Sequence, residues 1–394
     1  MKIALAADFH LDYRQFNSQQ RWHDYIDTFA KVTRKVAELK PDAYVIAGDL
    51  FERYMPHPGV IRRFLKEVSI LDCPIILIRG NHDSPQIFFD KFGGDILHLL
   101  QDVSEIVYLN PEKPCYEIGD LCFIGIGYSG FNATKEIEGC VKGVKSAAKT
   151  RIGVFHQLLD YPGVPEKQIE VSRSFLKGLG FDYVLMGHWH VRYEEKGLYS
   201  PGSSEYWAFD QGEQVNLNLD TYAEKVTPTK DKGFYLVDTA KGSGDFTHVE
   251  PARPMYSITY ETKSFDEAKH LPIIKKHMEK YNLEGALVET KVKGKCRYGR
   301  ITLGKELALD KPLIHSFSTN LKPSDAAEEK VDTMAAEATY LAERGVGKNV
   351  SKRIAEWLEH NRDDLSSMQA RELLISLRSI LQSDSDRKAP TASV

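Results

Sequence analysis

The sequence predicts a layered α/β fold, and three observations carry that expectation. Five short apolar runs, "KIALAAD" (2–8), "AYVIAGD" (43–49), "PIILIRGN" (74–81), "RIGVFH" (151–156) and "YVLMGH" (183–188), are continuous rather than alternating, the pattern of strands buried on both faces. Helical periodicity separates the first three. In residues 20–40, Trp22, Ile26, Phe29 and Val36 recur at helical spacing up to a stop at Pro41, and "GVIRRFLKEVSIL" follows the second run in the same manner. The resulting order, strand, helix, strand, helix, strand, is that of a layered α/β domain.

The 394 residues exceed one ordinary core, and at roughly 150 residues per domain they suggest two or three units. Lys plus Arg number 52 against 56 Asp plus Glu, a net charge of -4, so no basic body advertises nucleic acid and any such binding must be local or shared with a partner. Cys73, Cys115, Cys122, Cys140 and Cys296 form no CxxC and no even framework, which favours reduced thiols inside a cell. Asp8 interrupts the apolar start too early for a signal segment, and no run approaches the ~20 residues of a membrane span. A soluble, cytoplasmic chain without a membrane partner is expected.

Past residue 208, "DQGEQVNLNLDTYAEKVTPTKDKG" is polar and reads as a long surface excursion before the strand "FYLVDT" (234–239). From about Met255 a small α+β unit follows, with an alternating "YSITYET" and a strand-like "ALVETKV". After Pro323 the chain turns helical and charged, and "SDSDRKAPTASV" has nothing to bury. The domains expected are 1–250, 251–322, a helical region 323–382 and a disordered tail 383–394.

All five apolar runs end in residues able to bind metal: Asp8 with His10, Asp49, Asn81 with His82, His156, and His188 with His190. Each alone has a plainer reading, since Asp-x-His usually caps a turn, "GNHD" contains turn formers, and a lone histidine is most often a hydrogen-bonded core residue. Recurrence at five strand ends outweighs those readings, because open α/β sheets gather ligands at the carboxyl ends of their strands. If "YVLMGHWHVR" stays extended, His188 and His190 face the same side. Imidazoles, carboxylates and one amide suit manganese, iron or zinc rather than a cysteine-bound structural zinc. Seven donors are too many for one ion. Two ions about 3.5 to 4 Å apart, sharing a carboxylate, would use them all, supply a hydroxide nucleophile and clamp an in-line phosphoryl displacement.

The motifs "DFH", "GDLF", "GNHD", "VFH" and "GHWH", in this order, resemble the five motifs of calcineurin-like metallophosphoesterases. That resemblance implies a sandwich of two mixed sheets flanked by helices. "HLDYRQFN", "PGSSEYW" (201–207), "KGFYLVD" and a small cap domain make the chain similar to the double-strand-break repair nucleases of the Mre11/SbcD family, over roughly residues 1 to 320. The resemblance implies a manganese-dependent DNA exonuclease and endonuclease with two Mn2+ per chain, iron or zinc being the alternatives. It further implies DNA and an SMC-like coiled-coil ATPase of the Rad50/SbcC type as partners, and a nucleoid-associated location. By motif, Asp8, His10, Asp49 and His190 would hold one ion and Asp49, Asn81, His156 and His188 the other, with Asp49 the bridge. His82 would protonate the leaving oxygen or hold the scissile phosphate. One position departs from some relatives, which carry a histidine directly after "GDLF" where this chain has Glu52; that bears on the control of exonuclease action.

Two other functions use the same residues: a phosphodiesterase or phosphatase acting on small substrates, and a non-catalytic DNA-end scaffold. The cap and helical tail count against the first, and a full ligand set against the second. Near the first motif, Tyr13, Arg14, Asn17 and Arg21 suit contacts to DNA. A homodimer is expected beside the third motif, where Phe88, Phe89, Phe92, Ile96 and Leu97 exceed what one sheet-packing helix needs. Stripes of Val350, Ile354, Trp357 and Leu358, then Met368, Leu374, Leu377 and Leu381, fit short helices that dock on the partner's coiled coil.

Overall fold

Each of the five apolar runs becomes a buried strand: β1 (Lys2–Ala6), β2 (Ala43–Ala47), β3 (Ile75–Ile78), β7 (Thr150–His156) and β8 (Tyr183–Gly187). The structure is a computed structural model that describes residues 1–84, 94–296, 307, 309–323, 352–354 and 356–358. The first three runs lie side by side and parallel in a six-stranded sheet. Its other members are β4 (Ile106–Tyr108), parallel to β3, and the antiparallel pair β13 (Gly233–Asp238) and β14 (Ser243–His248), in the order β14-β13-β1-β2-β3-β4. The last two runs sit parallel and adjacent in a second six-stranded sheet. Its order is β5-β6-β7-β8-β10-β9, with β5 (Cys115–Ile118), β6 (Leu121–Gly125), β9 (Tyr193–Glu195) and β10 (Leu198–Ser200).

Alternation along each strand divides the core. On β1, Ile3 and Leu5 enter the layer between the two sheets with Val45, Ile76, Val154 and Leu185, while Ala4 and Ala6 face the helices on the outer side. Those helices are α1 (Gln19–Leu39) and α2 (Pro58–Val68), which bury Phe29, Val32, Val36 and Phe64. The Ser18 hydroxyl accepts the Arg21 N–H to open α1, and Lys40, in the left-handed region at φ 46°, closes it just before Pro41. On the far side, α4 (Ala133–Gly143) and α5 (Arg173–Gly178) cover the second sheet through Ile137, Val141 and Leu176. Helix, sheet, sheet and helix thus stack as the two-sheet sandwich expected from the motifs.

A third sheet, β12-β11-β15-β16-β17, follows, and α6 (Glu267–Met278) lies in the chain between two of its strands. It joins β15 (Met255–Glu261), β16 (Leu287–Cys296) and β17 (Ile314–Pro323) to a hairpin of β11 (Glu213–Asn218) and β12 (Glu224–Thr227). The hairpin corrects the reading of residues 210–233 as a surface excursion. Beneath the polar composition, Val215, Leu217 and Leu219 alternate with Gln214, Asn216 and Asn218 and bury one face, the period-2 signal of a strand with one wet side.

By contacts the chain divides into two units, residues 1–262 with 267–293 and 301–320, and residues 263–266 with 294–300 and 321–394. The first two sheets belong to the first unit, as does the third apart from the last residues of β16 and β17. In the second, Phe265 bridges to Cys296, and residues 352–354 and 356–358 are helical. Of the tail stripe, Ile354, Trp357 and Leu358 are half-buried there, while Val350, Met368, Leu374, Leu377 and Leu381 lie outside the described residues, as do 383–394. Phe88, Phe89 and Phe92 also lie outside them. Ile96 and Leu97 begin α3 (Ile96–Val103) and pack into the core, so neither is free for an interface; the exposed apolar side chains of that helix are Leu99 and Val103. The five cysteines form no disulfide among the described residues, where also no helix is long and apolar enough to cross a membrane.

Candidate metal centre

The loops after β1 and β2 are zipped together by the backbone. Asp8, His10 and Leu11 donate their N–H groups to the carbonyls of Gly48, Asp49 and Leu50 at 2.9–3.1 Å, which holds the ends of both strands in register. Asp8 (φ 53°), His10 (φ 45°), Asp49 (φ 48°) and His188 (φ 81°) all occupy the left-handed region. Such a backbone costs about 1–3 kcal/mol per residue and persists only where surrounding structure enforces it. Fully burying a large apolar side chain contributes about 1.5–3 kcal/mol, so the core beneath can hold these turns in place. The strain aims the side chains inward. Asp8 and His10 are fully buried and Asp49 is 1% exposed.

The second sheet is brought against the first by a glycine. A Cβ on Gly187 would lie 2.0 Å from the Ala47 carbonyl oxygen, so only glycine lets the end of β8 approach the end of β2 this closely. β8 therefore stops at Gly187. His188 turns at positive φ, and the extended geometry that would put His188 and His190 on one face does not form. The two rings enter neighbouring clusters instead.

In one cluster, Asp8, His10, Asp49 and His190 converge: the Nε2 atoms of His10 and His190 are 3.1 Å apart, His190 Nε2 is 3.7 Å from Asp8 Oδ1, and His10 Nε2 is 3.7 Å from Asp49 Oδ2. In the other, Asp49, His156 and His188 converge with Asn81: Asn81 Oδ1 is 2.9 Å from His188 Nδ1 and 3.1 Å from His156 Nε2, and the two ring nitrogens are 3.2 Å apart. Asp49 belongs to both, and a single oxygen does the sharing, because Oδ2 also lies 3.2 Å from His156 Nε2. The other oxygen, Oδ1, accepts the backbone N–H of His82 at 2.9 Å.

Ligand atoms about 2.1 Å from a common ion and at right angles stand roughly 3 Å from one another. The spacings of 2.9–3.2 Å match that figure, the two of 3.7 Å in the first cluster are wider, and the rings are set for a cation. His156 donates Nδ1–H to the Ala47 carbonyl (2.8 Å) and His10 gives Nδ1 to Glu52 (3.0 Å), so each turns Nε2 toward its cluster. Burial, with the neighbouring His156 charge, drops His188 to about 3, and burial also holds His190 well below its usual value; both rings are neutral, with lone pairs free for a cation. Burial works against the charge of Asp49, but His156 and His10 outweigh it and keep the carboxylate well below its ordinary range. Burial raises Asp8 to about 6. The donor set fits divalent cations.

His82 stands apart from these donors. Its ring meets His10 edge-on at 4.7 Å, and its Nδ1 lies 3.3 Å from both the Glu52 carboxylate and the Glu52 carbonyl. Burial opposes its protonation, but Glu52 and Asp49 prevail and push it up to about 9, so the ring is an imidazolium at neutral pH. Glu52 thus joins His10 to His82 through one oxygen.

Several supporting residues escaped the sequence reading. Asp83, buried, accepts the N–H groups of Leu50, Phe51 and Gly80 and pins the second motif to the third; its position at the end of "GNHD" was the available signal. Trp207 packs at 4.3–4.5 Å against His10 and His190. Lys232, fully buried, donates to the His190 carbonyl, Ser203 and Gln211. Tyr128 lies 5.3 Å from the His188 ring and had no sequence signal at all.

The four residues read as DNA contacts separate. Arg21 is fully buried, bonded to Asp24 (2.9 Å), Glu205 (3.0 Å) and Gln15 (2.9 Å), so it cannot meet a phosphate; its charge is spent inside the fold. Tyr13 stacks on Trp207 at 4.7 Å and packs on Tyr25, backing the centre. Arg14 and Asn17 are exposed.

Residues 1–192, which contain every one of these donors, match the calcineurin-like phosphoesterase family. Those residues are a calcineurin-like metallophosphoesterase domain. The chain is similar to proteins named DNA double-strand break repair protein Mre11, and it is a metal-dependent phosphodiester hydrolase. It is 37% identical over 304 residues to the DNA double-strand break repair protein Mre11 of Archaeoglobus fulgidus, covering 70% of this chain and 65% of that one. The Mre11 of Methanocaldococcus jannaschii is 27% identical over 280 residues, 68% of this chain and 72% of its own. That of Sulfurisphaera tokodaii is 25% identical over 352 residues, 84% of both.

Proposed function

We propose that this metallophosphoesterase is a manganese-dependent DNA exonuclease and endonuclease that works through two ions in double-strand-break repair. The observation that carries the two-ion reading is Asp49 Oδ2, within 3.7 Å of His10 Nε2 and 3.2 Å of His156 Nε2, one oxygen facing two clusters. Asp8, His10, Asp49 and His190 would hold the first Mn2+, and Asp49, Asn81, His156 and His188 the second. When bound, the ions supply Lewis acidity and an activated water. The chain's own residues do the rest. Asp8 accepts the His188 N–H and so fixes the "GHWH" loop, Asp49 orients the turn that carries His82, and His82 delivers a proton to the leaving oxygen. Glu52 keeps that proton in place.

A DNA substrate is supported by the Mre11 relatives. Arg14 and Asn17, exposed beside the first motif, would meet the sugar-phosphate backbone. Residues 1–250 would form the nuclease domain and 251–322 a DNA-binding cap, while 323–382 would dock on an SMC-like coiled-coil ATPase. A homodimer next to the third motif, through the segment that carries Phe88, Phe89 and Phe92, and a cytoplasmic, nucleoid-associated location complete the reading. The test is cleavage of 3′-recessed, 5′-recessed and hairpin DNA with Mn2+ or Mg2+, beside a chromogenic phosphodiester. Cleavage of the chromogenic compound without any DNA would refute the nuclease assignment, and light scattering that gives a monomer at micromolar concentration would refute the dimer.

A further inference from the structure

Next to the metal centre, a cavity of about 250 Å³ opens between the end of β3 and the loop after β6. Tyr128 forms a wall common to both, since its ring lies 5.3 Å from that of His188. Tyr108 and Ile126 add apolar surface, and Arg79, Glu112 and Glu136 bring charge to the lining. Both tyrosine rings are held in place: the Tyr108 hydroxyl donates to Asp95 (2.9 Å), the Tyr128 hydroxyl to Glu170 (2.7 Å), and the Tyr128 backbone N–H to the Arg79 carbonyl (2.9 Å). Arg79 is left with an unmet hydrogen-bond donor. Its Nε–H is buried and has no acceptor among the described residues, and its nearest carboxylate, Asp95, is 3.8 Å from Nη1. The Arg79 side chain is 30% exposed and lines the cavity, so its guanidinium can donate to an acceptor on a ligand there.

We propose that this cavity takes an unstacked nucleobase of the substrate strand, one nucleotide from the scissile phosphate on the His156 and His188 side. The inference rests on the nuclease reading above. The shape and charge select a base over a phosphate. Two carboxylates beside a single guanidinium repel an anion, whereas a base offers ring acceptors to Arg79, amino donors to the glutamates and a flat face to the tyrosines. The volume lies below the usual range for drug-sized ligands and suits one such ring. Seating a base here pulls the strand out of its stack beside the reacting phosphate, so frayed or single-stranded DNA would be cut more readily than an intact duplex.

The test is an abasic scan. Single-stranded oligonucleotides carrying one abasic site at successive positions are cleaved by the wild-type protein and by Arg79→Met, and rates are normalised to hydrolysis of bis-p-nitrophenyl phosphate, which has no base. At one position beside the cleaved bond the abasic site should cost the wild type roughly tenfold or more in kcat/KM, the scale of one lost base stack. Arg79→Met should lose part of that advantage on intact DNA and respond less to the abasic site at that position, because both changes remove the same contact. Equal sensitivity in the two proteins, or none in the wild type at any position, overturns the proposal and leaves the nuclease reading standing. Hydrolysis of the chromogenic compound by a wild type that leaves the intact oligonucleotide uncut overturns both.

Discussion

Replacing Glu52 by alanine removes one carboxylate oxygen that serves two rings, His10 Nδ1 at 3.0 Å and His82 Nδ1 at 3.3 Å. The Glu52 side chain is only 17% exposed, so water replaces it poorly. A hydrogen bond to a charged group contributes about 1.5–3 kcal/mol net. At about 1.4 kcal/mol per decade, Glu52→Ala should weaken metal binding at the His10 cluster and slow turnover by roughly 10- to 100-fold, the range found for groups that orient metal ligands. Glu52→Gln keeps an acceptor and should lose less. The carboxylate also raises His82 to about 9. If the imidazolium is the proton donor, activity is present below that value and lost as pH rises through it, and Glu52→Ala should move the loss to lower pH. Calorimetric Mn2+ titration and pH profiles with a chromogenic phosphodiester measure both effects. Wild-type affinity, rate and alkaline limb in Glu52→Ala would refute the reasoning.

Other substitutions address separate parts of the account. His82→Ala should keep its metal and its melting temperature yet lose roughly 10²- to 10⁴-fold in cleavage; full single-turnover cleavage would remove His82 from the chemistry. Arg21→Met leaves Glu205 and Asp24 buried with a partner lost and should cost about 3–5 kcal/mol in urea unfolding, while DNA affinity per folded molecule holds; the opposite pattern would return Arg21 to the DNA surface. Gly187→Ala should abolish metal binding, since its Cβ would sit 2.0 Å from the Ala47 oxygen; a variant with normal metal content would mean the two strand ends can separate. Glu224 is bonded first to Lys280, then to Tyr281 and His277, and its pKa falls from 4.5 to about 2. Its contribution to the third sheet is therefore present above pH 4.5 and lost as pH falls toward 2, and Glu224→Gln should flatten acid unfolding in that window.

The strands and their ligands were legible because both are local signals. A continuous apolar run announces a buried strand, and the polar residue that ends it announces the rim, so Asp8, Asp49 and His156 could be placed without coordinates. What escaped was set by geometry that no window of sequence contains. His188 and His190 part company because the chain leaves β8 at positive φ, pulled over by contact between Gly187 and Ala47. Arg21 looked like a phosphate ligand because its charge was visible and its partners, Glu205 above all, lie far off in the chain. The β11–β12 hairpin hid behind polar residues on its wet face, although Val215, Leu217 and Leu219 kept the period. Tyr128 reaches the centre only through the packing of the second sheet.

The central claim is that two ions share Asp49 in a centre that cleaves DNA, and metal counting on three proteins tests it most directly. After loading with Mn2+ and removal of excess, atomic emission should find two ions per chain in the wild type and about one in His156→Ala, with DNA cleavage lost in the latter. Asp49→Asn should weaken both sites together. One ion in the wild type, or DNA cleavage by His156→Ala at the wild-type rate, would contradict the account.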